Sequence, residues 1–236
     1  MGGDAALEPR IVIAGTGRAG TTLLVQILTD LGLPTGFQPD ARINETARAG
    51  LERSLDGAAP PRIVKDPGLS KHLGRLLDEG KVAVEHVIVP MRDLDVAAAS
   101  RVRATRYGTE PSARGGLFGT RSATRQKEGL ALVFYELFDT ITRYDLPHTL
   151  LLFPRLATDW EYTYEKLRWI DPEIGPERWQ AAIEGRADPS LIHQQPLSTT
   201  ERSLAAAGTV YTNGIKKLAG RAQRSARALW ARIGKS

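Results

Sequence analysis

The residues best suited to chemistry lie close to the amino terminus, in Gly15-Thr16-Gly17-Arg18-Ala19-Gly20-Thr21-Thr22. They follow the β-branched run Ile11-Val12-Ile13-Ala14 and precede Leu23, Leu24, Ile27, Leu28 and Leu31, which are spaced as one helical face. A glycine-rich turn between strand and helix lets successive N–H groups turn inward around an anion, and the helix N-terminus adds partial positive charge. Thr21 and Thr22 contribute hydroxyls, and Arg18 a cation. The spacing nearly matches the GxxxxGK[ST] loop of nucleoside triphosphate sites, with Gly15, Gly20 and Thr22 in register. Thr21, however, stands where the lysine that follows the β- and γ-phosphates belongs. The loop reads as a phosphate site and speaks against kinase or NTPase chemistry. A tight structural turn is the competing reading, which two threonines and an arginine between apolar elements disfavour.

Three other segments place polar groups at strand ends. Val87-Ile88-Val89-Pro90-Met91-Arg92-Asp93 is followed, eight residues after Arg92, by Ser100. Val64-Lys65-Asp66-Pro67 ends a short apolar run, with Lys71-His72-Leu73 just beyond. Asn44-Glu45-Thr46 lies between the first helix and that run.

Arg18-Ala19-Gly20-Thr21 after a strand resembles the 5′-phosphosulfate loop of the sulfotransferases that use 3′-phosphoadenosine 5′-phosphosulfate (PAPS). Arg92 with Ser100 resembles that family's 3′-phosphate element, where guanidinium and hydroxyl converge on one dianion. Lys65-Asp66-Pro67 is similar to the Lys-(Asp or Thr)-Pro element of tyrosylprotein sulfotransferases and many bacterial relatives, and Asn44-Glu45-Thr46 to the segment carrying their acidic base. The resemblance spans roughly residues 10–105 and implies a third donor-binding element beyond them.

The resemblance implies a sulfuryl transfer from PAPS to a hydroxyl of a small metabolite, glycan or lipid, with adenosine 3′,5′-bisphosphate (PAP) as product and no metal required. Residues 15–22, Arg92 and Ser100 would bind the donor. Arg18, Lys65 and the loop N–H groups would face the charge that builds on the leaving phosphate. Glu45, then Asp66, then His72 are the candidates for the base that takes the acceptor proton. The competing readings are a solvated lysine for Lys65, a surface residue for His72 and a dipole-stabilised acid for Glu45. The acceptor is expected against residues 107–128, where Arg114, Arg121, Arg125 and Lys127 could recognise it. The rival functions are an ATP-dependent P-loop small-molecule kinase and a non-catalytic nucleotide-binding adaptor.

Composition narrows these choices. Absence of cysteine removes disulfides, iron–sulfur clusters, thiolate zinc and cysteine nucleophiles, and the four histidines show no metal spacing. Eight of the 32 basic residues follow Glu201 with no acid among them, leaving 24 basic against 27 acidic residues before that point. The net charge of +5 is thus a property of the tail and not a nucleic-acid footprint. No run is long and apolar enough for a membrane span, and the amino terminus lacks a signal-peptide pattern, so a cytoplasmic protein is expected.

These groups need a scaffold of strands alternating with helices, which implies an α/β fold. The expected form is a P-loop NTPase-like three-layer domain with a parallel sheet, spanning residues 1–236. Helices are expected over Glu45–Leu55, Leu69–Leu77, Leu94–Arg103 and around Leu130–Ile141, with strands at Arg62–Val64, Val84–Val89 and Thr149–Phe153. Thr158 with Glu161 reads as a capping box, residues 107–121 as a long loop, and 194–212 as irregular. A basic amphipathic helix is expected at about 214–236; it could touch an anionic membrane surface, pack on its own domain or join a homo-oligomer.

Overall fold

The computed structural model describes residues 7–44, 49–66, 68–110, 113, 115–188, 195–210 and 212–213. Strand β1 (Arg10–Ile13) leads into helix α1 (Thr21–Asp30), β2 (Ile63–Lys65) into α2 (Leu69–Asp78), and β3 (Val84–Met91) into α3 (Leu94–Ala104). Helix α4 (Gln126–Arg143) precedes β4 (His148–Leu152), and α5 (Arg155–Thr158), α6 (Trp160–Leu167) and α7 (Pro176–Arg186) follow. The four strands pair in the order β2-β1-β3-β4, all parallel.

Side chains alternate along each strand, so each apolar run supplies both faces of the sheet. Ile11, Ile13, Ile63, Ile88 and Leu151 meet α1, α5, α6 and α7 on one side. Val12, Val64, Val87 and Val89 meet Leu69, Leu73 and Leu76 of α2 and Phe134, Leu137 and Ile141 of α4 on the other. Helices therefore cover both faces in three layers. The β1–β2 connection runs to one side and β3 returns on the other, so the loops after β1 and β3 border one crevice at the carboxyl ends of the strands.

Three expectations fail. Residues 49–55 are not helical: Asn44 and Ala49 form an isolated antiparallel bridge, and Arg53 N–H donates to the Lys65 carbonyl beside β2. Residues 45–48 of that expected helix lie outside the described residues. The cap of α6 is Asp159, whose carboxylate accepts from Tyr162 N–H, while Thr158 ends α5 and donates to the Pro154 carbonyl. Residues 199–210 are helical (α8), and Arg103 secures them with two bonds to Glu201, at 2.7 and 3.1 Å. The expected helix at 214–236 lies outside the described residues. Among the described residues, no helix is long and apolar enough to cross a membrane.

Candidate functional site

The backbone of the loop after β1 takes positive φ at Gly15 (144°), Gly17 (65°), Arg18 (59°) and Gly20 (79°). Arg18 is the exception among glycines, and a non-glycine residue held left-handed is a form of strain that gathers at functional sites. Gly20 caps α1 without a side chain, and no acid occupies the first turn, so nothing from the helix itself neutralises its positive end.

Arg18 points toward α3, where its Nε donates to Ser100 Oγ at 3.0 Å. Arg92, one residue past β3, donates from Nη1 to the Arg18 carbonyl at 3.1 Å, and its guanidinium lies over the Phe153 ring at 4.9 Å. The other terminal nitrogen of Arg92, Nη2, is buried and has no hydrogen-bond partner among the described residues. A buried guanidinium N–H left in this way costs free energy unless a ligand accepts from it. The sequence elements after β1 and β3 thus meet in one cluster.

Lys65 approaches from β2. It shares the strand face of Ile63, the face on which α1 packs, and its Nζ donates to Thr22 Oγ1 at 2.9 Å. The same ammonium reaches the Gly50 carbonyl and Glu52 Oε1, the latter at 3.3 Å. Lys65 is 3% exposed. Burial lowers its pKa, Glu52 opposes that, and Arg18 adds to it.

Arg18, Arg92 and Lys65 line one cleft of about 320 Å³, bordered also by Gly17, Gly20, Thr21 and Thr22, with Arg101, Glu52, Phe118 and Phe153; Ser100 stands behind Arg18 and does not line it. Burial lowers the pKa of Arg18, Arg92 and Arg101, and the charge of Arg18 lowers those of Arg92 and Arg101 further. Cations that depress one another in this way would be eased by a neighbouring negative charge. A phosphate or sulfate would relieve the repulsion and accept the orphaned Arg92 N–H.

Gly15, Thr16 and Ala19 are buried behind the lining and shape it. Gly15 N–H donates to Ser70 Oγ at 3.1 Å, and that hydroxyl donates back to the Gly15 carbonyl at 3.0 Å. Asp66 and His72 do not line the cleft. Asp66 accepts from Gly68 N–H at 2.8 Å at the start of α2, and burial raises its pKa. His72 is exposed on α2. Glu45 and Arg114 lie outside the described residues. Arg121, Arg125 and Lys127 do not border the cleft, and Lys127 pairs with Asp95 at 2.7 Å.

Glu52, Arg101, Arg186 and Asp188 are charged lining residues outside every sequence motif. Glu52 pairs with Lys65 at 3.3 Å and lies in a stretch expected to be helical. Arg101 looks like any arginine of an exposed helix, yet it is 6% exposed and turned beneath the loop. The chain matches no protein-family model and no curated protein.

Proposed function

We propose that the chain is a PAPS-dependent sulfotransferase on a P-loop-like α/β domain. The observation that carries this reading is the cluster of Arg18, Arg92 and Ser100, with Arg18 Nε 3.0 Å from Ser100 and Arg92 Nη1 3.1 Å from the Arg18 carbonyl. Two sequence elements that resemble separate halves of a PAPS site meet there.

PAPS would supply an activated sulfuryl group, transferred in line to an acceptor hydroxyl with PAP as the leaving group. Arg92 and Ser100 hold the 3′-phosphate, and the unpartnered Nη2 of Arg92 gives it a donor already in place. The loop N–H groups, Thr21 and Thr22 hold the 5′ end at the N-terminus of α1. Lys65, steadied by Thr22 and Glu52, presents an ammonium to charge developing on the leaving oxygen. Glu52 borders the same space beside Lys65 and is the carboxylate assigned to take the acceptor proton; Asp188 also borders it, and Glu45 is the candidate by resemblance. The acceptor is a small metabolite, glycan or lipid.

One observation favours ATP-dependent phosphoryl transfer instead: Lys65 restores an ammonium beside Thr22, near where a triphosphate loop carries its own lysine. Incubation with ³⁵S-labelled PAPS and a panel of hydroxyl compounds separates the two. Label transfer with stoichiometric PAP release supports the proposal. Transfer only from ATP with magnesium would replace it.

A further inference from the structure

Arg101 has a second set of bonds besides its place in the cleft wall. Its Nε donates to the Thr16 carbonyl at 3.2 Å, and Nη2 reaches the same oxygen. Its Nη1 donates to the Gly116 carbonyl and stands 3.5 Å from that of Gly115. The guanidinium also lies over the Phe118 ring at 5.1 Å. One buried side chain therefore joins the loop after β1 to the segment 115–118, of which Gly115 and Phe118 border the same cleft.

The geometry at both ends is informative. In a trans peptide the C=O and N–H point in opposite directions. By holding the Thr16 carbonyl, Arg101 turns the Gly17 N–H of the same peptide away from itself, and Gly17 borders the cleft. A Cβ at Gly17 would stand 2.5 Å from Arg101 Nη2, so glycine is what admits the guanidinium under the loop. At the far end, Gln126 of α4 fixes Phe118 in both directions: its Oε1 accepts from Phe118 N–H at 3.0 Å, and its Nε2 donates to the Phe118 carbonyl at 2.7 Å. A chain of contacts thus runs from α4 to the loop: two hydrogen bonds from Gln126 to Phe118, the Phe118 ring against the Arg101 guanidinium, and the bonds of Arg101 to Thr16.

We propose that Arg101 is a positioning residue that couples the phosphate loop to the 115–118 wall, so that an anion held by the loop also fixes Phe118 at the side where the acceptor enters. The role of the cleft as a PAP site is taken from the reading above; the coupling itself stands on the bonds. A lysine at this position keeps the charge but lacks the planar fork that here places Nε and Nη2 on the Thr16 carbonyl and Nη1 on that of Gly116.

Amide hydrogen exchange on the ligand-free protein tests the coupling directly. In Arg101→Lys, exchange rises at least tenfold in both 15–22 and 115–118. In Gln126→Ala, which alters no bond of Arg101, exchange rises at 115–118 and also several-fold in 15–22. A rise confined to 115–118 in Gln126→Ala overturns the coupling, even if Arg101→Lys fails to fold. Added PAP then slows exchange at 115–118 in the wild type but not in Arg101→Lys, although the loop of that variant is still protected. Equal protection at 115–118 in both proteins also overturns the inference. A wild type that ignores PAP defeats the assignment of the cleft, and the ligand-free comparison still decides the coupling.

Discussion

Lys65 and Thr22 are neighbours, with Nζ and Oγ1 2.9 Å apart across 43 positions of sequence. The relationship follows from strand parity. Ile63 and Lys65 project from one face of β2, and α1 packs on that face, so the last side chain of the strand meets the first turn of the helix. The cation missing from the loop at Thr21 is thereby supplied by the adjacent strand. Burial holds that ammonium below its ordinary pKa, and the nearby Glu52 offsets part of the shift.

Arg92 is expected to discriminate by the 3′-phosphate. Arg92→Ala should weaken PAP binding by about 10- to 100-fold, the value of one or two charge-assisted hydrogen bonds. Adenosine 5′-monophosphate, which lacks that group, should lose no more than about threefold on the same scale. Calorimetry with both nucleotides checks this. Equal losses would mean that Arg92 serves another part of the ligand.

Glu52, rather than Asp66 or His72, is expected to govern turnover. Glu52→Gln should lower kcat by about 100-fold or more while PAP affinity changes little, the pattern of a lost general base. Asp66→Asn and His72→Gln should keep kcat within about threefold, since neither side chain borders the cleft. Steady-state kinetics on an accepted hydroxyl compound distinguishes them. A large kcat loss in Asp66→Asn with none in Glu52→Gln would reverse the assignment.

The docking of α8 should depend on pH. Arg103 and the Ser198 N–H hold the Glu201 carboxyl down to about 2, from an ordinary value of 4.5. A carboxylate depressed in the folded state stabilises above its unfolded pKa, and that contribution disappears as pH falls through the folded value. Amide protection of residues 199–210 should therefore decline between pH 4.5 and about 2. Glu201→Gln should show weaker protection with no titration across that window. Parallel titration in both proteins would contradict the assignment.

The sheet was legible because β1, β2 and β3 are built from β-branched residues whose alternate side chains both face apolar helices. The loop was legible because its glycines sit at the very positions that take positive φ. Arg101 was not, since nothing local separates it from Arg103 two residues later. Tertiary contacts alone bury one under the loop and pair the other with Glu201. Helix α8 was missed for a similar reason. Its buried face is Ala205 and Gly208, the latter tight against the Tyr107 carbonyl, so it carries no large apolar period to read. Glu52 escaped notice because no strand or helix fixes it; its place is set by Arg53 pairing with β2 and by the Lys65 ammonium.

The proposed function requires the cleft to grip both ends of a doubly phosphorylated adenosine. Calorimetric titration of the wild type with PAP, against ATP with magnesium, tests it most directly. PAP should bind at least about tenfold tighter than ATP, equivalent to one additional charge-assisted contact. Tighter binding of ATP with magnesium, or no binding of PAP, would contradict it.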